Sequence, residues 1–236
     1  MSQLTVKLSF KLLKGFFIRR LNRFLVEVEL NNEKVLSHLP NSGRMSTVLS
    51  PKCEAYVKEE SSPNRKTKYT MFAVRREGIP IIVDTRFANK LTKLLIEKSL
   101  FPPLRKYRIV KENVLKNSSK IDFLLGRNGQ RFYLEVKSVS YVVDEVAMFP
   151  DAPTSRGRKH IETLIKCVEG FNAGILFTVQ RPDAKKLRPC REIDPKFSEL
   201  IAKAVKSGIK IFTQTLVFHP MNTVEIIFHK PVFSIS

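Results

Sequence analysis

Three residues in the middle of the chain have types and spacing suited to phosphoryl chemistry: Asp122, Glu135 and Lys137. They lie in KIDFLLGRNGQRFYLEVKS, which reads as two strands, Lys120–Leu125 and Arg131–Val136, around Asn128-Gly129. That dipeptide favours a two-residue type I′ turn, in which both central residues take positive φ. Counting back from the turn pairs Arg127 with Gln130 and then Asp122 with Glu135. The two carboxylates then face each other with β-carbons about 5 Å apart. Lys137 projects from the same face, while Phe123, Leu134 and Val136 fall on the apolar one.

Opposed like charges cost stability in a strand pair, and a divalent cation with a neighbouring lysine offsets that cost. Asp followed by Glu-x-Lys on the next strand is the layout of PD-(D/E)xK phosphodiesterases. There, two carboxylates hold Mg²⁺ or Mn²⁺ and the lysine orients or deprotonates the attacking water. Asp122 and Glu135 are thus the expected metal ligands, with the Val136 carbonyl as a third. A plain surface ion pair is the ordinary alternative for Glu-x-Lys.

A second basic group follows. Thr154 or Ser155 can cap a helix carrying Ile161, Leu164, Ile165 and Val168, ended by Gly170. Arg156, Arg158, Lys159 and His160 cluster at its start, where the helix dipole and unsatisfied N–H groups favour a phosphate. In Pro40–Met45 the Gly43-Arg44 pair would let a phosphate approach the backbone, with Arg44 as its partner. For an accessory carboxylate the candidates are Glu97, on a helix expected over 86–98, and Glu112, near the end of a strand.

The elements around these residues form two regions. Residues 1–80 read as short strands punctuated by turns, an OB-like barrel. Strands expected there include Val6–Leu13, Arg23–Leu30, Lys34–Leu39, Cys53–Lys58 and Tyr69–Arg75. Residues 81–236 read as an α/β domain of the PD-(D/E)xK nuclease type, opened by a strand at 81–83. It includes an apolar central strand near 173–179 and a helix capped by Asp194-Pro195. Tyr141–Met148 reads as one strand and Arg181–Arg191 as a linker.

With 42 basic and 22 acidic residues the net charge is +20, which points to a polyanion, most naturally nucleic acid. Three widely spaced cysteines make neither a zinc pattern nor a disulfide framework, and no signal peptide or membrane span is read. The expectation is a cytoplasmic protein with no membrane partner.

PNSGRM (40–45), NKLTK (89–93), SSKIDFLL (118–125), LEVKSV (134–139) and FPDAPTSRGRKHIETL (149–164) resemble, in order and spacing, the sugar fermentation stimulation protein A family. The resemblance implies an N-terminal OB-fold, a nuclease-like C-terminal domain, largely sequence-independent DNA binding and a regulatory role in sugar, particularly maltose, metabolism. It places Asp122, Glu135 and Lys137 on the nuclease-type motif and Arg156, Lys159 and His160 in the basic block after it. Lys120 stands where the family commonly carries arginine, and LKNSSK lacks acidic residues, so the resemblance supplies no third carboxylate. Two functions stay open: a metal-dependent nuclease and a non-catalytic DNA-binding regulator.

Overall fold

Asn128 and Gly129 both adopt positive φ, 46° and 78°, as a type I′ turn requires. The strands they join form the centre of the fold in a computed structural model that describes residues 3–62, 64–116, 119–168, 172–220 and 222–235. Ser118 and the expected helix stop Gly170 lie outside the described residues.

After β1 (Gln3–Lys7) come β2 (Leu13–Asn22), β3 (Leu25–Leu30), β4 (Glu33–His38), β5 (Glu54–Glu59), β6 (Tyr69–Arg76) and β7 (Ile79–Ile82). Strands β2 to β6 run in the order β4-β3-β2-β5-β6, and a parallel β4–β6 pairing closes them into the OB barrel. Its interior holds Val26, Val28, Val57, Met71 and Val74. Gly15 is obligatory there, since a Cβ would sit 2.1 Å from the Glu29 carbonyl oxygen.

Two elements fall on the other side of the expected division. The strand at 81–83, expected to open the second region, is part of β7 and pairs antiparallel with β6. Val6–Leu13 is not one strand: β1 stops at Lys7 and pairs with a strand near the C-terminus.

The second region contains α1 (Thr85–Glu97), β8 (Arg108–Lys116), β9 (Ser119–Arg127) and β10 (Gln130–Val139). It continues with β11 (Tyr141–Val143), β12 (Val146–Phe149), α2 (Ser155–Val168), β13 (Asn172–Val179) and β14 (Lys186–Pro189). It closes with α3 (Pro195–Lys206), β15 (Lys210–His219), β16 (Thr223–Phe228) and β17 (Val232–Phe233). The main sheet has the order β1-β16-β15-β13-β10-β9-β8, and its centre, β10-β13-β15, is parallel. Helix α1 and the barrel cover one face through Phe72, Ile82, Leu91 and Leu95, packed on Phe123, Leu134 and Val136. Helices α2 and α3 cover the other through Ile161, Leu164, Phe197 and Ile201.

A four-stranded sheet, β11-β12-β14-β17, was not foreseen. Tyr141–Met148 is interrupted because Asp144 and Glu145 both take positive φ, and part of the supposed linker, Lys186–Pro189, becomes β14. The caps follow local chemistry. Asp84 accepts from the Arg86 amide, Thr154 Oγ1 from the Gly157 amide, and Asp194 from the Phe197 amide.

Candidate functional site

The β9–β10 register runs from Arg127↔Gln130 to Phe123↔Leu134 and then stops. Asp122 does not continue the ladder. Its Oδ2 accepts a 2.8 Å hydrogen bond from the Val136 amide, occupying the place of a backbone carbonyl. The amide and carbonyl of one strand residue face the same neighbour, so Val136 turns its carbonyl toward that side as well. Here the strands part, and a cleft of about 340 Å³ is lined by Asp122, Glu135, Val136, Lys137, Arg156 and His160.

Asp122 is also held by the side-chain amide of Asn89, from α1, at 2.7 Å on Oδ1. Burial first, and then the charge of Glu135, push its carboxyl up to about 6 against the lowering effect of these hydrogen bonds. Glu135 is 1% exposed. Its Oε1 accepts from Lys137 Nζ at 2.6 Å and meets His160 Nδ1. Burial alone would raise this carboxyl, but Lys137 and His160 outweigh burial and hold it below the usual carboxylate range. His160 Nε2 accepts from Arg156 Nε at 3.4 Å, which assigns the ring proton to Nδ1, facing Glu135.

Glu135 Oε2 is buried with no hydrogen-bond partner among the described residues. Unsatisfied buried carboxylate oxygens are costly, and this one belongs to a residue lining the cleft beside Asp122. Asp122 and Glu135, with that orphaned oxygen, would be the residues to hold a divalent cation, so the donor set fits a hard cation with oxygen ligands. No group of three or more His, Cys, Asp or Glu side chains suited to a metal occurs among the described residues. Further ligands would have to come from backbone carbonyls and water.

The remaining sequence candidates separate. Arg156 and His160 line the cleft, whereas Lys159 lies beside it in an adjoining cavity with Lys120 and Ser155. Arg158 turns away to a 2.7 Å ion pair with Asp194, the buried cap of α3. Glu97 and Glu112 do not reach the site. Both pair with Lys93, at 3.8 and 2.5 Å, because the polar face of α1 that carries Glu97 is directed at β8 there. Asn89, two turns nearer the start of α1, occupies the position an accessory carboxylate would have needed.

Arg44 is exposed and does not line the cleft; its loop does, through Asn41, Ser42 and Gly43. Arg20 builds that loop by donating to three of its backbone carbonyls, those of Asn41, Gly43 and Arg44, while also bonding the Asn22 and Arg23 carbonyls of the β2–β3 turn. Asp151, beyond β12, accepts from the Met45 amide at 3.3 Å and packs where a Cβ on Gly43 would sit 2.2 Å from its Oδ2. Asn89, Arg20 and Asp151 were missed by residue-type reasoning. Asn89 and Asp151 lie inside NKLTK and FPDAPT, two of the blocks that carry the family resemblance, which is the signal that could have found them.

An OB barrel docked on an α/β sheet that presents Asp and Glu-x-Lys from adjacent strands defines a two-domain protein with a PD-(D/E)xK nuclease-type domain. Family models agree in both halves. Residues 18–83 match the "SfsA N-terminal OB domain", and residues 86–222 match the "Sugar fermentation stimulation protein RE domain". The chain belongs to the sugar fermentation stimulation protein family.

A homolog from Clostridium tetani is 40% identical over 198 residues, covering 83% of this chain and 86% of that protein. One from Methanothermobacter thermautotrophicus is 37% identical over 205 residues, covering 86% and 85%. The solved structure of Pyrococcus furiosus SfsA in complex with Ca²⁺ is similar at 31% identity and a TM-score of 0.87, over 94% of this chain and 96% of that one.

Proposed function

We propose that the chain binds DNA largely without regard to sequence and carries a divalent-metal-dependent phosphodiesterase site at Asp122, Glu135 and Lys137. The observation that supports it most is the orphaned Glu135 Oε2, buried in the wall of the cleft that Asp122 also lines. Asp122, Glu135 and the Val136 carbonyl would hold Mg²⁺ or Mn²⁺, which would supply Lewis acidity toward a phosphate oxygen and an acidified water. Lys137, anchored on Glu135, positions its ammonium beside the attacking water, and Arg156 stands at the rim to hold the phosphate. His160 fixes the Glu135 carboxylate rather than meeting substrate. The complex of a relative with Ca²⁺, a hard cation of the same ligand preference, is in keeping with this reading.

The net charge of +20 supports the DNA partner through counterion release, which makes binding fall steeply with salt. No helix among the described residues is long and apolar enough to cross a membrane.

A second reading, a non-catalytic DNA-binding regulator of sugar metabolism, draws on a different observation. Both oxygens of Asp122 already accept hydrogen bonds within the protein, from Val136 and Asn89. Metal titration of wild type and Asp122→Ala, with and without DNA, separates the two. The nuclease reading expects Mg²⁺ or Mn²⁺ uptake and strand cleavage, both lost in Asp122→Ala and Glu135→Ala. DNA binding that survives chelation and both substitutions, without cleavage under any divalent ion, would leave the regulator.

A further inference from the structure

A second groove lies on the barrel, between the β2–β3 turn and the loop that joins β5 to β6. It has a volume of about 450 Å³ and is lined by Phe24, Leu36, His38, Arg65 and Lys66 among others, with no carboxylate in its lining. Phe24 and Leu36 are each 46% exposed, and they are the two exposed large apolar side chains of the barrel surface that line this groove. The Phe24 and His38 rings lie side by side with centroids 6.3 Å apart and planes 31° from parallel. Burial first, then Arg86 and Arg65, keep the His38 imidazole below the ordinary histidine range, so it presents an uncharged ring at neutral pH.

Arg23 stands between the groove and the carboxylate cleft. Its guanidinium lies 5.9 Å from the centre of the Phe24 ring and donates to the Ser42 carbonyl at 3.3 Å, and the residue itself lines the cleft. At the far side of the cleft, Arg156 and His160 are shared with a further cavity holding Lys120 and Lys159. An exposed phenylalanine with a half-buried imidazole beside it, followed by a line of cations, is what successive bases and phosphates of one unpaired strand need. The cleft, at about 340 Å³, is on the scale of one small ligand.

We propose that Phe24 and His38 form a stacking platform for an unpaired DNA strand, which Arg23 hands on to the Asp122–Glu135 cleft, so that the preferred partner is single-stranded. The inference rests on the DNA-binding reading above and adds the substrate class.

The chain contains no tryptophan, so Phe24→Trp creates a sole indole within the platform. Val110→Trp, at a position 62% exposed on β8, serves as a control away from the groove. The full-length variants are titrated with oligothymidylate and with a blunt duplex of equal length, at fixed salt and with chelator present to prevent cleavage. The expected result is quenching of the indole at 24 by the single strand and none at 110. Phe24→Ala should weaken single-strand binding about tenfold, the loss of one stacked base, and leave duplex binding unchanged. Because Phe24 is already half exposed, its replacement does not threaten folding. Single-strand affinity unaltered by Phe24→Ala, or duplex bound as tightly as single strand by the wild type, overturns the platform while DNA binding itself stands. Wild type that binds neither DNA overturns both.

Discussion

Asp122 and Glu135 line the same cleft from neighbouring strands, but their surroundings differ in kind. Asp122 meets two uncharged donors, a backbone amide and the Asn89 amide, and the charge that acts on it most strongly is another carboxylate. Glu135 is more deeply buried and meets an ammonium and an imidazole on a single oxygen. Position along the strands explains the contrast. Lys137 follows Glu135 at the two-residue repeat, and α2 lays His160 over the same point. Asp122, by comparison, takes its side-chain contact from α1 through the uncharged amide of Asn89. Two similar acids at one site are thereby pushed in opposite directions, Asp122 up and Glu135 down.

The contrast is broken most severely by Lys137→Met, which leaves the Glu135 charge buried with His160 alone. A loss of about 2–4 kcal/mol is expected in urea unfolding at pH 7–8. Since the folded Glu135 titrates below its unfolded value, the stability it contributes is present above about pH 4.5 and is lost as pH falls through its lowered value. The penalty of Lys137→Met shrinks over that same acidic window, and the double variant Glu135→Gln/Lys137→Met recovers most of it at pH 7.

Asp122→Asn acts with the opposite sign. A carboxyl whose folded value is raised to about 6 binds more protons in the native state between about pH 4 and pH 6, so its ionisation destabilises. In metal-free protein the variant should gain about 1–3 kcal/mol at pH 7–8, a gain that fades as pH drops toward 4. Asn89 accommodates it by turning its own amide. Thermal unfolding across that range reads the difference, and a divalent cation should reverse the order by stabilising only the wild type.

Asn89→Ala has the smallest effect. Losing one hydrogen bond to an ionised group costs about 1 kcal/mol near neutral pH and moves the Asp122 titration further upward, followed by carboxyl NMR. If the Asp122 titration stays where it was, Asn89 is not a positioning residue for the carboxylate.

What the sequence disclosed follows from how local each signal was. The Asn-Gly turn set the hairpin register for five residue pairs, and the alternation of Phe123, Leu134 and Val136 chose the core face correctly. The same counting expected Asp122 opposite Glu135 as a continued pair. It could not show that the aspartate side chain replaces a backbone acceptor and ends the ladder. Helical periodicity placed a helix over the α1 segment but could not say which turn of it meets the site, so Glu97 stood as a candidate by its charge while Asn89 makes the contact. Arg158 shared the spacing of its basic neighbours, and only the arrival of Asp194 from α3 separates it from them. At the Asp144-Glu145 turn the aspartate tolerates positive φ but the glutamate beside it gives no such signal, and no glycine or asparagine marks the break between β11 and β12.

The pairing of β1 with β16 gives the molecule a closed itinerary. Gln3 to Lys7 lie against Ile227 to Thr223, and the Leu8 amide donates to the Asn222 carbonyl, so the barrel is inserted between the first strand of a sheet and the remainder of it. A single cut at the junction near residue 84 therefore does not divide the protein into two whole domains. It carries the edge of the sheet away with the barrel and bares the flank of β16, an open template for stray strands. A separable barrel begins only after β1. Conversely, a synthetic peptide with the sequence of β1 is a natural complement for a chain that lacks it, docking through five residues of backbone pairing.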